Sequence, residues 1–101
     1  MSSGSPAPIP SFGAEQHARL ADLVGELKAL HGELAETVMA ERRGRVEAYA
    51  LSDETSVQAR DREADSIVLD LSLDIIRLKA DIAALTTEYT FLLDWMNVAP
   101  I

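Results

Sequence analysis

The chain contains no cysteine. Disulfides and thiolate metal sites are excluded, and the composition suits a reducing cytosol. Histidine occurs only as His17 and His31. On one helix these two stand about 21 Å apart at 1.5 Å per residue, so they cannot share a metal within a chain. No Glu-x-x-His pair of the di-metal bundle type occurs, since neither Glu33 nor Glu36 has a histidine three residues on. A glycine-rich phosphate loop, a nucleophile elbow and a zinc spacing are also missing. No apolar run approaches the roughly 20 residues of a membrane span. Met1 to Pro10 lacks the basic end and apolar core of a signal peptide. These absences argue against an enzyme, a metal, a cofactor or a membrane protein, and they predict a cytoplasmic one.

Basic residues are few, nine against 17 acidic ones, for a net charge of −8. Such a chain repels nucleic-acid phosphate on average, which disfavours nucleic acid as a partner. The charge serves solubility, and the carboxylates are too sparse to mimic nucleic acid. Aromatics make up only 5% of the 101 residues, whereas hydrophobic residues reach 48%. That mixture, with Ala and Leu set among Glu and Asp, favours helix over sheet.

Residues 1–12, MSSGSPAPIPSF, carry three of the four prolines and predict a disordered tail. Residues 13–97 predict a helical hairpin: a first helix over 14–51, a turn over 52–55 and a second helix over 55–97. Residues 98–101 form a C-terminal tail, with Asn97 and Pro100 as the stop. The apolar stripe of the first helix is Leu20, Leu23, Leu27, Leu30 and Leu34, flanked by Val24 and Val38. Gly25 and Gly32 interrupt it at about 1 kcal/mol each against Ala. From Thr55 to Met96 an apolar stripe recurs at alternating steps of three and four, with Asp61 its one polar member. Ser52 or Thr55 caps the second helix, Thr55 in a box with Gln58. Long helices joined by so short a link must lie antiparallel. The hairpin core is expected at Leu20, Leu27 and Leu34 against Val68, Leu71, Ile75, Leu78, Ile82 and Leu85. The fold class is all-α: a long antiparallel two-helix hairpin that assembles into a four-helix bundle or larger coiled-coil-like oligomer.

Assembly is expected because the second helix carries a second stripe on the flank of the first. It comprises Leu69, Leu73, Ile76, Ala80, Ala83 and Thr87. The first helix can cover only one stripe, and the other is a larger apolar patch than soluble monomers tolerate. Leu69, Leu73, Ile76, Ala80, Ala83 and Phe91 are therefore the predicted oligomer interface. A homo-oligomer, a dimer or higher, is the first expectation, and a hetero-partner would serve equally. Tyr89, Phe91, Trp95 and Met96 cluster near the C-terminus, as anchors for Leu20 and Leu23.

A hairpin turning near residue 53 pairs positions that add to about 107. Arg42 is then opposite Asp65, and Arg45 is opposite Asp61 or Arg62. Arg42, Arg45 and Arg60 form a candidate anion-binding cluster among carboxylates, read alternatively as a salt-bridged, solvated end.

The runs Glu47-Ala48-Tyr49-Ala50-Leu51 and Thr55-Ser56-Val57-Gln58-Ala59-Arg60-Asp61-Arg62-Glu63-Ala64-Asp65 precede an Ile/Leu-rich helix. Over roughly residues 41–93 this pattern resembles small helical accessory proteins of actinobacterial phages, whose function is mostly unassigned. The resemblance implies a phage protein acting in the host bacterial cytoplasm on a host or phage protein. Secreted WXG-type hairpins are of similar length and acidity, but their Trp-x-Gly turn is absent here. Three functions follow as expectations. The first is a non-enzymatic oligomeric hairpin acting through protein–protein interaction, as a phage accessory or host-modulating factor. The second is a binder of a phosphorylated small molecule or single-stranded nucleic acid through the arginine cluster. The third is a small structural virion or assembly component.

Overall fold

The computed structural model describes residues 8–98, with side chains over 13–97. Three helices follow in order: α1 (Pro8–Leu51), α2 (Val57–Ile67) and α3 (Leu69–Val98). The described residues are helical apart from the turn and one residue between α2 and α3. Principal-axis extents of 82 × 21 × 14 Å correspond to two helices side by side and one helix thick. Both broad faces of the hairpin are therefore open.

Two ion pairs fix the antiparallel arrangement. Arg19 on α1 meets Glu88 on α3 at 2.7 Å, and Arg45 on α1 meets Asp65 on α2. Along the seam Leu23, Ala48, Ala64, Val68, Leu78 and Leu92 are buried. Leu20, Leu27, Leu34, Leu71, Ile75, Ile82 and Leu85 are half-buried beside them. The expected core residues thus line one seam. Many are only half-covered, because each helix has a single neighbour.

Four local features depart from the sequence expectation. Helix α1 starts at Pro8, so residues 8–12 of the expected disordered tail are helical, and residues 1–7 lie outside the described residues. Pro8 and Pro10 fall in the first turn, where backbone N–H groups have no intrahelical acceptor and a missing donor costs nothing. The cap of α2 is Ser56 rather than Thr55 or Ser52. With Ser56 at φ −93° and ψ 147°, its Oγ accepts from the N–H of Ala59 at 3.0 Å. Ser52 Oγ instead accepts from the N–H of Glu54 within the turn.

The expected single helix over 55–97 is broken at Val68, whose φ of −98° and ψ of 13° leave the helical well. Hydrogen bonding bridges the break, with Val68 N–H donating to Ala64 at 3.1 Å and Ser72 N–H donating to Val68 at 2.9 Å. Val68 is received by Gly44: a Cβ built there would lie 3.0 Å from Val68 Cγ1.

The last departure is in register. Arg19 with Glu88 keeps the expected sum of 107, but near the turn Arg45, not Arg42, meets Asp65. The five-residue link and the break at Val68 shift that end by three positions. At the C-terminal end α3 runs to Val98, and the rest of the tail, Pro100 included, lies outside the described residues.

Candidate functional site

Val68 and, on helix α3, Leu71, Ile75, Leu78, Ile82 and Leu85 face α1. At 100° per residue, Ala80 stands about 200° from Leu78, on the side of the helix facing away. Leu69, Leu73, Ile76, Ala80, Ala83, Thr87 and Phe91 share that outer side, and all are exposed. Leu69 and Leu73 are each 53% exposed, Ile76 64% and Phe91 66%. The stripe expected on the flank of the seam is in fact at its back. It spans roughly 33 Å from Leu69 to Phe91 at 1.5 Å per residue.

No ionisable side chain interrupts this stripe. The Thr87 hydroxyl donates to the Ala83 carbonyl at 2.9 Å, so its polar atom is already bonded within the helix. Along one rim runs a charged line in which Arg77 reaches Asp74 at 3.7 Å and Asp81 at 3.8 Å. At the C-terminal end Thr86, Thr87, Thr90, Phe91 and Asp94 surround a shallow depression. Phe91 thus stands outward, while Tyr89, Trp95 and Met96 are half-buried. The four do not form one cluster.

The arginine cluster at the turn end is divided. Arg42, Arg45, Val46, Tyr49, Ala50 and Asp61 line a cleft of about 540 Å³. Arg45 is engaged with Asp65 and, at 3.7 Å, with Glu41. Hydrogen bonding to Asp65 is the main reason its guanidinium pKa is raised above the usual arginine value. Arg60 lies 5.4 Å above the Tyr49 ring and donates through Nε to the Glu54 carbonyl at 2.7 Å. Arg42 has no ion pair among the described residues. One of the three guanidiniums is therefore uncommitted, and its cleft also contains a carboxylate. The arrangement staples the turn to both helices.

At the opposite end Arg19 donates to both oxygens of Glu88 at 2.7 Å and to Glu26 at 3.1 Å. The bond to Arg19 holds the Glu88 carboxyl below the ordinary glutamate range. Midway, Ser72 Oγ donates to Glu41 Oε2 at 2.6 Å across the seam. His17 and His31 are both exposed on α1.

Sequence reasoning set Val24 beside the leucine stripe and overlooked Met39, whereas Val24, Met39 and Val46 are 50%, 50% and 70% exposed on α1. Their spacing could have shown them as a second line on that helix, but the dense leucine seam drew the reading to itself. Compared with family models, curated proteins and solved structures, the chain gives no match.

Proposed function

We propose that this protein is a non-enzymatic helical hairpin that dimerises through the outer face of α3 and acts through protein–protein contact. The supporting observation is the uninterrupted, charge-free outer stripe from Leu69 to Phe91 on a helix whose other side is already occupied. Its residue sizes are self-complementary about Ala80. In an antiparallel pairing of two α3 helices, Leu69 lies against Phe91 of the second copy, Leu73 against Thr87, and Ile76 against Ala84. Leu73 and Ile76 then meet small side chains, Ala80 meets Ala80, and large side chains meet only at the ends. A parallel pairing sets Ile76 on Ile76 and leaves a gap along the alanines. Because the stripe is at the back of α3, the two hairpins form a flat array with both α3 helices in the middle, rather than a square four-helix bundle.

The energetics fit a modest affinity. Leu69, Leu73, Ile76 and Phe91 each have more than half their surface left to cover. At about 1 kcal/mol apiece from both chains, roughly 8 kcal/mol is gained before the cost of association, so micromolar is the tightest affinity these four side chains can give. The resemblance of residues 41–93 to phage accessory proteins supports a setting in which such a dimer engages a host or phage protein.

The absence of native cysteine makes the test clean. Under mild oxidation Ala80→Cys is expected to give a covalent dimer rapidly. Leu69→Cys and Phe91→Cys are expected to cross-link in an equimolar mixture but slowly alone. Equal cross-linking of every single variant would point to parallel pairing, and none at all would reject the interface.

A further inference from the structure

Helix α1 carries a second line of side chains that neither the seam nor the outer face of α3 uses. Val24, Lys28, His31, Ala35, Met39 and Arg42 follow at steps of three and four, so they share one side of the helix. All six are exposed, and Val46 extends the line toward the turn. In a chain with 17 acidic residues this line contains none.

The acids of α1 are on its other side. Arg19 joins Glu26 of its own helix to Glu88 of α3, which places both carboxylates on one broad face of the hairpin. Lys28 stands about 200° around α1 from Glu26, and Lys79 about 180° around α3 from Glu88. By the register of Arg19 with Glu88, Lys79 is level with Lys28 on the opposite face. Lys28, Arg42 and Lys79 have no ion pair among the described residues, whereas Arg19 and Arg77 are paired with carboxylates of the acidic face. The net charge of −8 is thus unevenly spread. The lesser extent of the hairpin, 14 Å, exceeds the Debye length of about 8 Å at physiological salt, so the cationic face is largely screened from the acidic one.

We propose that this face docks an acidic amphipathic helix of another protein. Charge complementarity selects the carboxylates: they meet Lys28, Arg42 and Lys79 without breaking an ion pair, with Asp61 beside Arg42 the one acid of the cleft at that end. Apolar residues of the incoming helix cover Val24, Met39 and Val46 around the small Ala35. Nucleic acid offers phosphates but leaves those apolar side chains uncovered. An anionic membrane wants larger anchors than valine and alanine. The face is distinct from the outer stripe of α3, so docking is independent of dimerisation.

The test uses the full chain and two labelled synthetic helices of Leu, Ala and a charged residue, one with Glu and its twin with Lys. Fluorescence anisotropy at low salt should show the Glu helix binding at least about tenfold more tightly than the Lys helix, with the difference shrinking as salt is added. The variant Lys28→Glu/Arg42→Glu/Lys79→Glu should lose at least about tenfold in affinity. Set against Lys28→Glu/Lys79→Glu, the variant Arg62→Glu/Arg77→Glu carries the same charge change elsewhere and should lose far less. Amide shifts of the unaltered protein should change along Val24–Arg42, a readout that does not depend on any variant folding. Several results would overturn the proposal: no binding, equal binding of the two helices, equal losses in the two double variants, or binding only to phosphatidylserine vesicles or oligo-dT. Each of them leaves the cross-linking test of the α3 interface standing.

Discussion

Glycine has opposite consequences at different points along α1. At Gly25 and Gly32 a Cβ would meet nothing within 4 Å, so alanine removes a backbone-entropy cost without a clash. Each replacement is expected to stabilise the fold by up to about 1 kcal/mol in urea titrations. At Gly44 the same methyl would lie 3.0 Å from Val68 Cγ1, and Val68 is buried. Gly44→Ala should therefore cancel its propensity gain or lose about 1 kcal/mol through overpacking. It should recover that gain in a Val68→Ala background, where the two changes are coupled. Equal stabilisation by all three glycine replacements would show that Val68 does not need the space. Glu88 illustrates charge at the same scale. Its carboxyl is held below the ordinary range by Arg19, so it binds fewer protons folded than unfolded. The resulting stability is present above the ordinary glutamate pKa and is lost as pH falls through the lowered one. The difference in melting temperature between the native chain and Glu88→Gln should be largest near neutrality and vanish in acid. A difference independent of pH would contradict this role.

At the scale of the helix, the start of α2 rests on one hydroxyl. Ser56→Ala is expected to cost about 1 kcal/mol, and Thr55→Ala almost nothing. The reverse order would restore the Thr55–Gln58 box that the sequence suggested. The heptad stripe was legible because its period is set by burial, and from Ala64 to Met96 it lines the seam, whereas Val57 and Asp61 are exposed. The cap was missed by one residue because Ser52, Thr55 and Ser56 are all competent caps, and backbone geometry alone decides among them. Helical residues at Pro8–Phe12 were not legible because proline excludes helix interiors but not first turns. The break at Val68 left no mark, since the apolar steps on either side of it are regular. Val68 packs across the seam against Gly44, and contacts between distant residues are invisible to a local pattern.

For the whole molecule, one helix thick and two wide, the question is what covers its apolar surfaces. The second stripe of α3 could be read from the sequence, and so could its position: at about 100° per residue it lies opposite the seam stripe, but steps of three and four counted without angles placed it on the flank. Among the arginines at the turn, the sequence identified the residues but not their partners. A three-position shift in register moved Asp65 from Arg42 to Arg45. The central claim is that the outer face of α3 joins two copies. Sedimentation equilibrium from about 1 µM to about 1 mM, reaching upward from the micromolar ceiling, tests it directly. The native chain should rise from 11.0 kDa toward twice that mass, and Leu73→Lys/Ile76→Lys should remain at 11.0 kDa throughout. A native chain that stays at 11.0 kDa over the whole range, or a double variant that dimerises equally well, would contradict the account.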